Sequence, residues 1–152
     1  KFVLEYYRFH YGYLVPTSAQ VKWDLDVQAE QRGTSFLPKM QTDIFLQNKK
    51  NGKELIIDTK FYSQIFQAHM GVEKLHSDNL YQIFAYVKNK DIGNTGNVAG
   101  MLLYADIGST VALDYSYSIG GNPIYVRTLD LNQNFQYIAQ QLNQIVEVYF
   151  GQ

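Results

Sequence analysis

The spacing of apolar positions divides the chain into helical and extended segments. Phe2, Val3, Tyr6 and Phe9 recur at helical intervals, which predicts a helix over residues 1–11 with those four side chains turned inward. Pro16 closes the loop that follows. Val21, Trp23, Leu25 and Val27 alternate with Lys22, Asp24, Asp26 and Gln28, the period of a half-buried strand over residues 21–29. Two apolar runs, residues 40–46 and 55–61, flank a lysine-rich turn containing Asn51-Gly52. That dipeptide favours a two-residue type I′ loop, so the runs read as a hairpin. Residues 62–75 carry no clear period and read as a loop or a short helix. Ser77-Asp78 has the form of an N-cap followed by a first-turn acid. It predicts a helix over residues 78–89 with Leu80, Ile83, Phe84 and Val87 on its apolar face.

Residues 98–104, V-A-G-M-L-L-Y, form a nearly continuous apolar run, as in a central strand buried on both faces. Residues 111–117 and 124–131 read as two further strands around Gly120-Gly121-Asn122-Pro123. The last segment, residues 132–150, has Phe135, Ile138, Ala139, Leu142, Ile145, Val146 and Tyr149 on the helical period. Helix, three strands, helix, strand, two strands, helix is an α/β order. It implies a central mixed sheet flanked by helices.

Composition narrows the picture. A chain of 152 residues is one domain-sized unit, and 46% hydrophobic against 18% charged residues marks a globular one. The absence of cysteine removes disulfides, thiolate zinc sites and cysteine nucleophiles. It also fits a reducing compartment, so a cytoplasmic location is expected. No apolar stretch reaches transmembrane length. The chain opens at Lys1 already inside a helical pattern, which suggests a fragment of a longer protein, one domain over residues 1–152. The net charge of −1 does not advertise a nucleic-acid binder. Its distribution is uneven: residues 39–90 hold 8 Lys/Arg and 5 Asp/Glu, whereas residues 91–152 hold 1 and 5. The excess positive charge falls in the block that also carries the candidate chemistry and suits a phosphate backbone. Lys49, Lys50 and Lys53 at the hairpin tip also read as plain solubilising residues.

That chemistry is Asp43 on the first hairpin run and Asp58 and Lys60 on the second. Strand positions i and i+2 share a face, so Asp58 and Lys60 point the same way. A two-residue loop at Asn51-Gly52 places Asp43 across from Lys60, on that same face. Two carboxylates and an ammonium then converge, which is what metal-assisted phosphodiester cleavage requires. A triplet of Asp or Glu, any residue and Lys arises roughly once by chance in a chain of this composition, and a structural ion pair at a strand end is the competing reading. Asp58 and Lys60, however, end the run Leu55-Ile56-Ile57, where an unpaired charge is costly. Gln82 and Tyr86, at i and i+4, share one face of the second predicted helix and can look toward Lys60. His10, His69 and His76 lack zinc-ligand spacing. His10 is expected to pack beside the first helix; His69 and His76, near Lys74, either touch DNA or are solvated. No P-loop, glycine-rich dinucleotide motif or Ser/His/Asp arrangement is present. The 13 Tyr and 9 Phe fall mostly at core-period positions.

An aspartate on one strand, D-x-K on the next and Q-x-x-x-Y on the following helix resemble the PD-(D/E)XK nuclease superfamily, with Thr42 where a proline usually precedes the first aspartate. The strings L-P-K-M-Q-T-D-I, I-I-D-T-K-F-Y, M-G-V-E-K-L-H-S-D-N-L-Y-Q-I-F-A-Y and G-M-L-L-Y are similar to McrC, the nuclease subunit of methylcytosine-dependent McrBC restriction systems. The resemblance runs from about Phe2 to Leu142. It implies a restriction-endonuclease-like core and an endodeoxyribonuclease role in phage defence. It implies Mg²⁺, held by Asp43, Asp58 and the carbonyl of Thr59, and leaves open whether Mn²⁺ substitutes for it. Lys60 would position the attacking water or steady the phosphorane, and Gln82 and Tyr86 would orient Lys60 and the scissile phosphate. The partners implied are DNA and a AAA+ GTPase motor, McrB-like, bound through a region preceding the nuclease domain. Many members of the superfamily carry a further acid on the first helix; Glu5 is the nearest here, in a different register. The competing function is a catalytically silent DNA-binding or motor-coupling adaptor of the same fold. A stand-alone repair or junction-resolving nuclease is a third, against which the McrC-like strings argue.

Overall fold

The computed structural model describes residues 1–26, 33–61, 66–69, 72–108 and 112–151, with backbone alone at 66–69 and 72–74. In chain order the elements are α1 (Phe2–His10), β1 (Gln20–Val21), β2 (Met40–Gln41), β3 (Ile44–Gln47), β4 (Glu54–Phe61), β5 (Phe66–His69), β6 (Val72–Leu75), α2 (Ser77–Lys90), β7 (Val98–Asp106), β8 (Asp114–Ile119), β9 (Asn122–Asp130) and α3 (Phe135–Phe150). Five strands form the central sheet in the order β3-β4-β7-β9-β8. The pairs β4–β7 and β7–β9 are parallel, and the outer pairs β3–β4 and β8–β9 are antiparallel. This is the α/β mixed sheet flanked by helices that the apolar pattern implies.

The sheet separates two cores. Ile44, Leu46, Leu55, Ile57, Met101 and Leu103 pack under α1 and α3. Phe45, Ile56, Leu102, Tyr104, Ile124 and Val126 pack under α2. Neighbouring strand residues thus serve opposite cores, and β7 is buried over nearly its whole length, as its unbroken apolar run requires. Gly100 sets the height of α2 over this sheet. A Cβ on Gly100 would fall 2.7 Å from Ile83 Cγ1 and 2.8 Å from Val87 Cγ2, so the helix seats where only hydrogen fits.

Several local expectations are corrected. Phe9 is 84% exposed and Phe2 47%, while Val3, Tyr6 and Tyr7 are buried; α1 presents a different stripe, because its contacts with α3 run through Tyr6 and Tyr7, which reach Asn143 and the Leu142 carbonyl. Phe135 of α3 is likewise exposed. His10 stacks beside Tyr6 at a 4.4 Å ring separation, as expected. The strand expected over residues 21–29 is reduced to Gln20–Val21 paired with Met40–Gln41, and residues 27–29 lie outside the described residues. The run 40–46 is broken at Thr42-Asp43, because Thr42 gives its N–H and its hydroxyl to the carbonyl of Ala19.

The Asn51-Gly52 turn is not a two-residue loop. Gln47 pairs with Glu54 across a six-residue connection. The Asn48 side chain accepts from Lys50 N–H, Asn51 accepts from Lys53 N–H, and only Gly52 has positive φ. Side-chain bonds to nearby backbone favour this wider turn over the type I′ form. Part of residues 62–75 is the hairpin β5–β6, in place of the expected loop or short helix. The N-cap position of α2 is His76 rather than Ser77. At β8–β9, Gly120 and Gly121, with φ of 60° and 86°, close the two-residue loop.

Candidate active site

The candidate residues meet at the end of β4. Asp58 and Lys60 lie on the face that α2 covers, the face of Ile56. The pairing of β3 with β4 is offset by two residues from that of a two-residue loop: Ile44 lies opposite Ile57. A shift of two preserves the face, so Asp43 still joins Asp58, lying beside Asp58 and Thr59 rather than across from Lys60. β3 stops at Ile44, and the Asp43 carboxylate takes the place of a ladder acceptor. Its Oδ2 accepts from Thr59 N–H at 2.8 Å and from the Thr59 hydroxyl at 2.9 Å. In a strand the N–H and C=O of one residue open on the same edge. The Thr59 carbonyl therefore faces the edge that β3 has vacated, on the side of Asp43.

Lys60 is held from two directions. Its Nζ lies 3.1 Å from Asp58 Oδ2 and donates to Gln82 Oε1 at 3.0 Å. Gln82 in turn donates through Nε2 to the Tyr86 hydroxyl at 3.0 Å. The strand supplies the charges and α2 supplies their tether, with Gln82 and Tyr86 stacked one turn apart. Asp58 is buried, and its Oδ2 accepts no aligned hydrogen bond, the Lys60 contact being off the bonding line. Burial pushes its carboxyl up to about 6; the Lys60 ammonium opposes the rise and the Asp43 carboxylate adds to it.

Beneath this group lies a pair the apolar pattern does not reveal. Tyr104, fully buried and opposite Lys60 in the β4–β7 register, accepts at its hydroxyl from Asn79 Nδ2 at 3.1 Å. Burial raises the Tyr104 pKa, the Asn79 bond opposes the rise, and the Asp58 charge adds to it. Asn79 is three residues before Gln82 on the same helix face, a spacing that could have flagged it; Tyr104 reads as plain core.

Other candidates fall elsewhere. Glu5 pairs with Arg8 on α1 at 2.7 Å and takes no part in the site. Lys49, Lys50 and Lys53 sit at the opposite end of β4, and Lys53 donates to the Tyr149 carbonyl. The positive block is therefore split between the two ends of the hairpin. His76 is half-buried beside α2, and its Nδ1 makes no hydrogen bond. The side chains of His69 and Lys74 lie outside the described residues. No group of three His, Cys, Asp or Glu occurs among the described residues. The donor set is thus Asp43 and Asp58, with the Thr59 carbonyl on the same edge and solvent on the open side. That set fits an ion such as Mg²⁺, which binds through one or two carboxylates and keeps several waters.

Residues 1–105 match the model of the family described as McrBC 5-methylcytosine restriction system component. Over 149 residues, 98% of the chain, the sequence is 35% identical to the type IV methyl-directed restriction enzyme EcoKMcrBC of Escherichia coli K12. The chain spans 41% of that relative's length. No helix among the described residues is long and apolar enough to cross a membrane. The fold thus brings Asp43, Asp58, Lys60, Gln82 and Tyr86 of these McrC-like strings to one place, and the chain belongs to the McrBC restriction-system family, as a McrC-like member.

Proposed function

We propose that this chain is the endonuclease domain of a modification-dependent restriction system, hydrolysing DNA phosphodiester bonds with Mg²⁺. The observation that carries the reading is the position of Lys60 Nζ, held between Asp58 Oδ2 and Gln82 Oε1 at 3.1 and 3.0 Å. A lysine fastened on both sides next to two carboxylates is a costly arrangement for a purely structural pair, since Asp58 is left with its carboxyl raised to about 6.

Asp43 and Asp58 would hold the metal, with Thr59 O beside them. The bound ion supplies Lewis-acid polarisation of the phosphate and lowers the pKa of a water. A donor of Lys60 left free by Asp58 and Gln82 would meet a phosphate oxygen or orient the attacking water. Gln82 fixes that ammonium, and Tyr86 fixes the Gln82 amide, so the donor direction is set before substrate arrives. Burial under α2 keeps water from screening the Asp58–Lys60 pair. The near-neutral net charge leaves grip on DNA and choice of site to a partner, for which a AAA+ GTPase motor is the proposed identity.

The test pairs wild type with Asp58→Ala. Calorimetry with Mg²⁺ or Mn²⁺ is combined with plasmid incubation, with and without the cognate GTPase and GTP. Metal binding and partner-dependent cleavage, both lost in a folded Asp58→Ala chain, support the reading. A folded wild type that binds no metal and cleaves nothing with the partner present overturns it in favour of a silent adaptor.

A further inference from the structure

Residues 91–152 hold a single basic residue, Arg127. A lone charge is ordinarily left in water, yet the Arg127 side chain is only 12% exposed. It projects from β9 on the face of Tyr125 and Leu129, the face that α3 covers. In the sheet it stands opposite Asp114 of β8 and beside Leu103 of β7. A guanidinium cannot shed its proton in a protein, so its cover has to be met by acceptors.

The acids at hand do not meet it. Asp114 lies 3.0 Å from Nε, but the contact is off the bonding line and the Asp114 side chain is 70% exposed. Asp130 has its carboxylate taken by the Asn132 N–H and the Gln133 amide. Arg127 donates no aligned hydrogen bond to any described residue. Instead it lines a cavity of about 200 Å³ between the β8–β9 pair and α3. Tyr137, Gln141 and Gln144 line the helix side, at i, i+4 and i+7 and so on one helical face. Gln141 is occupied by the backbone of Asp130, whose N–H it accepts and to whose carbonyl it donates. The Tyr137 hydroxyl and the Gln144 amide bond to no described residue.

We propose that this cavity is a phosphate-binding site, separate from the group at Asp58 and Lys60, in which Arg127 takes two phosphate oxygens through its terminal nitrogens. The fork of Nη1 and Nη2 matches two oxygens of an oxyanion. A planar carboxylate has no oxygen left once it faces that fork. A tetrahedral phosphate keeps two more directed away from the sheet, where the Tyr137 hydroxyl and the Gln144 amide supply donors from the helix layer. Donors in two layers therefore select phosphate. The neighbouring charges select its form. Asp114 beside the guanidinium leaves the site close to neutral, which suits a singly charged phosphate, a diester or a half-protonated monoester, better than a dianion.

Asp58 lies on the opposite face of the sheet, and β7 runs between β4 and β9. The cavity shares no residue with the candidate active site. Its role stands whether or not that site cleaves DNA, because it depends on Arg127 and α3 alone.

The test is a titration of the chain with inorganic phosphate at constant ionic strength. It is read by the Arg127 Nε–H resonance of nitrogen-labelled protein, which separates this cavity from phosphate held at Lys60, and by thermal melting. A saturable shift of that resonance and a rising Tm are expected. Arg127→Lys keeps the charge and removes the fork, and is expected to weaken the Tm response about tenfold or more in phosphate concentration. Tyr137→Phe, at a half-exposed position, carries the same test should the first variant unfold. It is expected to weaken binding about fivefold, the share of one hydrogen bond. Acetate is expected to bind less tightly than phosphate. A short DNA duplex distinguishes the two sources of the group: displacement of phosphate assigns the cavity to a nucleic-acid backbone, and no displacement assigns it to a free phosphate or phosphate ester. No saturable shift in the wild type, undiminished binding in the folded variants, or acetate bound as tightly as phosphate overturns the proposal.

Discussion

Asp43 holds the backbone of Thr59, not its own strand partner: its carboxylate takes the Thr59 N–H at 2.8 Å and the Thr59 hydroxyl at 2.9 Å. One acid thereby ends the β3–β4 ladder and stands beside the buried Asp58. The same contact that stops the sheet brings the two carboxylates together, and the measurable behaviour of the site follows from that proximity.

Asp58 makes the fold sensitive to pH. Its folded pKa, about 6, lies above the ordinary carboxyl value of 3.8. The folded state therefore binds more protons than the unfolded chain between those values, and stability falls as pH rises from about 4 to about 6. Asp58→Asn removes that loss. In metal-free buffer it is expected to raise stability above pH 6 by on the order of 1–2 kcal/mol, with no gain below pH 4. Urea unfolding of both chains across that range checks it; a gain that persists at pH 4 would put the cause elsewhere.

Metal affinity inherits the same titration. Loading the site needs Asp58 ionised, so Mg²⁺ or Mn²⁺ binding is expected to weaken about tenfold per pH unit below pH 6. Calorimetry at three pH values reads this directly. An affinity flat from pH 5 to 7 would remove Asp58 from the ligand set.

The tether on Lys60 predicts a graded series. Lys60→Ala is expected to lower the single-turnover cleavage rate, with the motor partner present, by about a hundredfold or more. Tyr86→Phe removes only the support of the Gln82 amide and is expected to cost about fivefold, the worth of one hydrogen bond near 1 kcal/mol. Equal losses at both positions would mean that Tyr86 acts on substrate itself.

Gly100 predicts a packing defect. A methyl at this position meets Ile83 and Val87 well inside contact distance. Gly100→Ala is expected to destabilise the chain by about 1–3 kcal/mol and to slow cleavage by lifting Gln82 from Lys60. Thermal melts and rates of this one variant separate the effects; unchanged stability would show that α2 seats more freely than this close approach implies.

At the far end of β7, Asp91 predicts the opposite acid response. Burial works against its charge, but bonds from Asn122, the Thr95 N–H and hydroxyl, and the Gly96 N–H hold its carboxyl down to about 2. Its contribution is present above the ordinary carboxyl value and lost as pH falls toward 2. Asp91→Ala is expected to cost about 2–3 kcal/mol at neutral pH, with the gap to wild type narrowing below pH 4 in the same urea titration.

Long periodic elements are legible in the sequence: α3, α2 and the buried β7 all carry their period in apolar side chains. The turn after β3 is not, because Asn48 and Asn51 bind backbone through their side chains and override the Asn-Gly preference. The grouping of Asp43 with Asp58 survives that difference because a register shift of two leaves every side chain on its face. The stripe on α1 departs from its apolar period because Tyr7 is buried through a hydroxyl bond to the Leu142 carbonyl of α3, a partner more than a hundred residues away in sequence. Tyr104 escapes sequence reasoning for a similar cause: it looks like core, and only the register of β4 against β7 sets it beside Lys60, where Asn79 bonds it from α2.

The parallel pairing of β4 with β7 has a consequence for the chain as it is synthesised. Asp43, Asp58 and Lys60 emerge early, Gln82 and Tyr86 later, and the strand that buries Asp58 from the other side later still. Until residues 98–106 arrive, β4 has β3 on one flank and no neighbour on the other. A nascent or truncated chain that stops short of β7 carries every polar residue of the site yet has no wall against which to assemble it. The order of translation itself thus delays assembly of the candidate site until the fold is nearly complete.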